Sequence, residues 1–86
     1  MWYRVRGAEG GGAALAAARR DGGVTQAQLA ERIGAERTTV LGMEAGRNPA
    51  LARLVRAFSL LGYDLVAVPR TAEVSVRERP GPAEDR

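Results

Sequence analysis

The stretch TQAQLAERIGAERTTVLGMEAG, Thr25 to Gly46, decides how this chain folds. Thr25 and Gln28 form a T-x-x-Q capping box, in which each residue's side chain satisfies the other's backbone N–H at a helix start. Val24 and Leu29 stand at the two positions of a hydrophobic staple across the same start. Leu29, Ala30 and Ile33 give one apolar face, and Gly34 ends the helix where a residue tolerant of positive φ is wanted. A further helix is expected after Ala35-Glu36, burying Val40 and Met43 at i, i+3 and ending at Gly46.

The interruption at Gly34 has a geometric reason. Two short helices that meet at a steep angle need a small residue where they touch, a residue that accepts positive φ in the turn, and an aliphatic plug on the second helix. Ala30, Gly34 and Val40 fill those places at the fifth, ninth and fifteenth positions counted from Gln26, which is the spacing of a helix-turn-helix.

Upstream, AALAAARRDGG predicts an alanine-rich helix from about Ala13 to Arg20 that stops at Gly22-Gly23, with Leu15 its one large apolar anchor. Gly10, Gly11 and Gly12 precede it. They lack the strand, Lys and Ser/Thr of a phosphate loop and read as a flexible joint. Trp2 to Arg6 alternates large apolar and basic residues and suggests a short strand. Downstream, Asn48 caps a helix with Pro49 at its first position, and Leu51, Leu54, Val55, Phe58 and Leu61 mark its apolar stripe until Gly62. Tyr63 to Pro69, YDLVAVP, reads as a short strand with Tyr63, Leu65 and Ala67 on one face and Val66 and Val68 on the other. The organisation expected is a strand and Gly-rich joint over 1–12, a helical domain with its strand over 13–69, and a polar tail over 70–86, mobile beyond about Arg77.

Composition narrows the function. The chain has 86 residues with neither cysteine nor histidine, so disulfides and Cys/His zinc sites cannot reinforce a core this small. Without those residues, and with the acids scattered over different helix faces, no nucleophile–base pair or metal cluster is recognisable, and no cofactor is implied. An enzyme is therefore not expected. No apolar run approaches the roughly 20 residues that span a bilayer, and the N-terminus lacks the apolar stretch of a secretory signal, so a cytoplasmic location is expected. All 13 basic residues are arginine. Residues 1–72 hold ten of them against six acids, a net +4, while 73–86 hold three against four, a net −1. A modestly basic domain suits nucleic acid through counterion release.

On these residues the chain resembles a known family. Residues 13–61, with TQAQLAERIG and RTTV…MEAGRNP, look like the Cro/CI-type (XRE) helix-turn-helix domains of phage repressors. The longer stretch from YRVR to LGYDLVAVPR is similar to the HipB-like antitoxins of bacterial toxin–antitoxin operons. The resemblance implies a mainly α, four- to five-helix, lambda-repressor-like domain with a short C-terminal strand and room for an N-terminal one. It implies a salt bridge between Arg19 and Glu44, a C-terminal strand that pairs with its copy in a second subunit, autoregulation of an operon, and a HipA-like kinase toxin as partner.

The helix-turn-helix geometry assigns the DNA contacts. Gln26 and the first turn after Thr25 present unpaired N–H groups to a phosphate. The helix after the turn enters the major groove, where Arg37 can make a bidentate contact to guanine and Thr38 can reach a thymine methyl or a base acceptor. Thr39 is placed for phosphate or base contact, and Arg47 and Asn48 lie at the height of the adjacent backbone. Leu65, Val66 and Val68 are the expected dimer contact, since an isolated strand leaves its backbone unpaired; pairing with Tyr3 to Val5 in the same chain is the alternative. Four residues depart from the family pattern. Glu36 is a weak cap that puts negative charge near phosphates, and Leu41, Gly42 and Ala45 stand where polar or basic residues are common. They raise a second function, a protein-interaction module in which the fold is kept, DNA binding is weak or lost, and Leu41 belongs to a protein contact.

Overall fold

The computed structural model of the protein describes residues 2–47 and 50–79. Four helices follow one another, α1 (Gly7–Asp21), α2 (Gln26–Ile33), α3 (Arg37–Glu44) and α4 (Leu51–Leu60). The start of α2 is fixed locally: Thr25 Oγ1 accepts from the Gln28 amide at 3.0 Å, and Gln28 Oε1 accepts from the Thr25 amide at 2.9 Å. Its end is fixed by Gly34 at φ 71°, a left-handed conformation that a residue with a Cβ adopts only at a cost. α3 then packs against both α2 and α1, and α4 closes the domain against α2 and α1.

The core is small, and four of the ten residues in its central cluster are alanine, which lets the helices lie close together. Leu15, Leu29 and Val40 are its most completely buried large side chains, surrounded by Ala14, Ala18, Ala30, Ile33, Met43, Ala57 and Phe58. Val24 packs against this cluster beside α2, the place expected of a staple.

α1 is longer than its sequence suggests. The three glycines expected to form a joint lie inside the helix, and Gly11 and Gly12 are buried. At Gly12 the cause is close approach. A Cβ on Gly12 would stand 2.5 Å from the Met43 carbonyl oxygen and 2.6 Å from that of Glu44, and one on Gly46 would stand 2.7 Å from the Cα of Glu9. The N-terminal half of α1 therefore lies backbone to backbone against the end of α3, and side chains there would hold the two apart.

Neither expected strand forms among the described residues. Trp2–Arg6 and 63–69 have no regular secondary structure, and no backbone hydrogen bond joins the two segments. They meet through side chains alone, with the Tyr3 and Tyr63 rings 5.8 Å apart and Phe58 edge-on to Tyr63. Period-two alternation makes a sheet only when a partner backbone is in register, and none is present within the described chain. The fold is accordingly helical, without the C-terminal β-strand.

α4 also differs from expectation. It begins at Leu51 with Ala50 as its N-cap and no side-chain capping bond; Asn48 and Pro49 lie outside the described residues. Of its apolar stripe only Phe58 is fully buried, Leu54 and Leu61 pack against the core, and Leu51 is 73% exposed. α4 is covered along one side only, so the outer members of its stripe face an open groove. The polar tail beyond Arg79 lies outside the described residues.

Candidate nucleic-acid interface

One carboxylate sets the orientation of the helix-turn-helix. Glu44, at the end of α3, accepts from Arg19 Nε at 2.5 Å and Nη2 at 3.1 Å, and from Gln26 Nε2 at 3.0 Å. Arg19 Nη1 also donates to the Val24 carbonyl at 2.8 Å. A single cluster thus joins α1, α2, α3 and the loop before α2. The paired side chains are mostly buried, Arg19 at 11% and Glu44 at 7% relative exposure. Burial opposes ionisation of Glu44, but the bonds from Arg19 and Gln26 and the nearby charges of Arg19 and Arg20 outweigh it and hold the carboxyl below its ordinary pKa. The bonds to Glu44 likewise raise the pKa of Arg19 against its desolvation.

The Gln26 side chain, expected to face phosphate, has its amide nitrogen committed to Glu44. A side-chain amide nitrogen has two hydrogens, so one of Gln26 is left for an anion, and backbone donors lie beside it: the amides of Gln26 and Ala27 have no intramolecular backbone partner among the described residues, while that of Gln28 is taken by Thr25. These free N–H groups open into a shallow basin of about 460 Å³ walled by Arg19, Arg20 and Arg37. An anion there would meet helix N–H groups and guanidinium charge together. Arg20 carries no motif signal of its own in the sequence beyond the Arg19-Arg20 doublet ahead of Gly22-Gly23. It is exposed, whereas its neighbour is tied to Glu44.

α3 presents its other side to solvent. Arg37 and Thr38 are exposed at its first turn, Thr39 is half-buried, and Arg47 is exposed beyond its end; Asn48 lies outside the described residues. Glu36 makes no side-chain capping bond at the α3 start. Leu41 and Ala45 are exposed, and a Cβ on Gly42 would meet nothing within 4 Å. The inward side carries Val40 and Met43. The arrangement is a helix held at a fixed angle on the body of the domain, one face in the core and the other free, with a cationic basin beside its N-terminus.

The helix-turn-helix family model matches residues 15–68, from the middle of α1 to past α4. The chain belongs to the Cro/CI-type helix-turn-helix family. Comparison with curated proteins gives no match. Members of this helix-turn-helix family are DNA-binding transcription regulators, a regulatory rather than a catalytic class. Among the described residues of this helix-turn-helix chain, no group of three or more Asp or Glu is placed to hold a metal ion, and no helix is long and apolar enough to cross a membrane.

Proposed function

We propose that the chain is a homodimeric, sequence-specific repressor that reads operator DNA with α3. The observation that carries this reading is the free face of α3, with Arg37 and Thr38 exposed at its first turn beside the basin of free amides and guanidinium groups at the start of α2. Arg37 reads a base edge, and Thr38 and Thr39 add base or phosphate contacts. Arg20, Arg47, Asn48 and the first amides of α2 hold the sugar–phosphate backbone. Leu65, Val66 and Val68 supply the dimer contact, supported by their exposure and by a backbone without strand pairing among the described residues. A dimer would present two α3 helices to half-sites about one helical turn apart.

The experiment is a mobility shift with DNA from upstream of the chain's own gene, against scrambled competitor, at two salt concentrations. A specific complex is expected, weakened by Arg37→Ala through lost base discrimination, with a salt slope lowered by about one at most. Equal affinity for scrambled DNA, collapsing between low and physiological salt, rejects the repressor. It would instead favour the interaction module suggested by exposed Leu41 and by Glu36, an N-cap residue without a side-chain capping bond.

The repressor is proposed to serve also as the antitoxin of a type II pair, neutralising a HipA-like kinase toxin. The similarity of YRVR and LGYDLVAVPR to HipB-like antitoxins supports this narrower role. Co-expression should relieve growth arrest caused by such a kinase from the same genome, with recovery of a complex of the two proteins. Unrelieved arrest removes the antitoxin role and leaves the repressor standing.

A further inference from the structure

Leu41 is out of place for a side chain of its kind. It is 42% exposed on the free face of α3, whereas Leu29, Ile33, Val40 and Met43, the other large aliphatic residues of the two motif helices, are buried. It stands one turn after Thr38 and one turn before Ala45, both exposed. α3 contains no Lys, Asn or Gln, so Arg37 is its one long side-chain donor to a base edge. Beside Leu41, Gly42 leaves open space where a side chain would stand, which lets the helix backbone sit close to a groove floor. Exposed Arg37 and Arg47 flank this apolar face along the chain, placed for the phosphates on either side of it.

We infer that Leu41 reads a thymine C5-methyl group in the major groove. This rests on the proposed role of α3 in reading DNA. The thymine methyl is the apolar feature that a major groove displays among donors and acceptors. Leucine has neither donor nor acceptor, so it discriminates by contact area. It favours a pyrimidine bearing the methyl over cytosine, whose N4 amino group would be left under an apolar side chain without a partner. Glu44 is neutralised by Arg19, and exposed Arg37 and Arg47 stand on either side of Leu41 against the single negative charge of Glu36, which is why DNA is named as the occupant.

The test starts from a random duplex pool at physiological salt, from which the preferred site is selected and resynthesised with each thymine replaced in turn by deoxyuridine. Deoxyuridine keeps every hydrogen-bonding edge and lacks only the methyl. At least one position should lose affinity about three- to fivefold, the worth of one buried methyl. In Leu41→Ala the thymine-to-uracil ratio at that position should fall towards one, while Leu41→Met keeps most of it; melting curves of both variants confirm that the fold is retained. Equal wild-type affinity for the two bases at every position overturns the inference, and so does a ratio that survives Leu41→Ala. Failure to select any site overturns the DNA reading itself and this inference with it, an outcome distinct from the other two.

Discussion

Glu44 receives side-chain donors from two other helices, and its removal tests how the motif is held. In Glu44→Gln the carboxylate charge is lost while Arg19 remains largely enclosed, so a buried guanidinium loses its counter-charge. Breaking such a pair typically costs about 3 to 5 kcal/mol, and the residual solvent access here places the expected loss at the low end, about 3 kcal/mol. Chemical unfolding of the two proteins at neutral pH measures it. The pH dependence follows from the sign of the shift: the folded pKa of Glu44 lies below its ordinary value, so the unfolded chain takes up the proton first as pH falls. The stabilisation is complete above the ordinary carboxylate range and is lost as pH drops through the folded value. Wild type should therefore lose stability more steeply than Glu44→Gln on acidification, and parallel acid limbs would contradict the assignment. Nothing local in the sequence pairs Arg19 rather than Arg20 with Glu44. The family resemblance alone implied that pair, whereas the capping box at Thr25 and Gln28 was legible because both partners lie within one turn.

At the scale of the helix, the glycines of α1 separate propensity from packing. Gly10 and Gly12 are both helical, and each costs about 1 kcal/mol relative to alanine on propensity alone. A Cβ on Gly10 would meet nothing within 4 Å, so Gly10→Ala should raise stability by about 0.5 to 1 kcal/mol. A Cβ on Gly12 would strike the backbone at the end of α3, which cannot yield as a flexible side chain does. Gly12→Ala should lose about 1 to 3 kcal/mol despite the better propensity. Thermal melts of the two variants check the opposite signs, and a shift of the same sign in both would mean that α1 and α3 do not touch as described. Read by propensity, the run Gly10–Gly12 is a joint, because the contact that calls for glycine at position 12 lies at the end of α3, more than 30 residues away. The turn at Gly34 was legible for the contrary reason, since its left-handed backbone is a local requirement.

For the whole molecule, the unfinished part is the side away from α3. Trp2, Val5, Leu51, Leu65, Val66 and Val68 are exposed around a groove of about 840 Å³ between α4 and the two extended segments. A chain of 86 residues buries too little to leave so much apolar surface free without consequence. The alternation along Tyr63–Pro69 could be read in the sequence, but whether it became a strand depended on a second backbone that one chain does not supply. The dimer proposed above provides that backbone, and Val66, 81% exposed, is the side chain it would change most. Val66→Asp leaves the helical core untouched and places a charge where two copies would meet, so helicity should stay near wild type. Light scattering should then show twice the 9.1 kDa chain mass for the wild type and the single chain mass for the variant. Operator affinity should fall at least about tenfold with it, since each half-site would be bound alone. A wild type that remains monomeric at micromolar concentration would leave the exposed valines without their proposed partner, and binding by a single α3 would then have to account for all specificity.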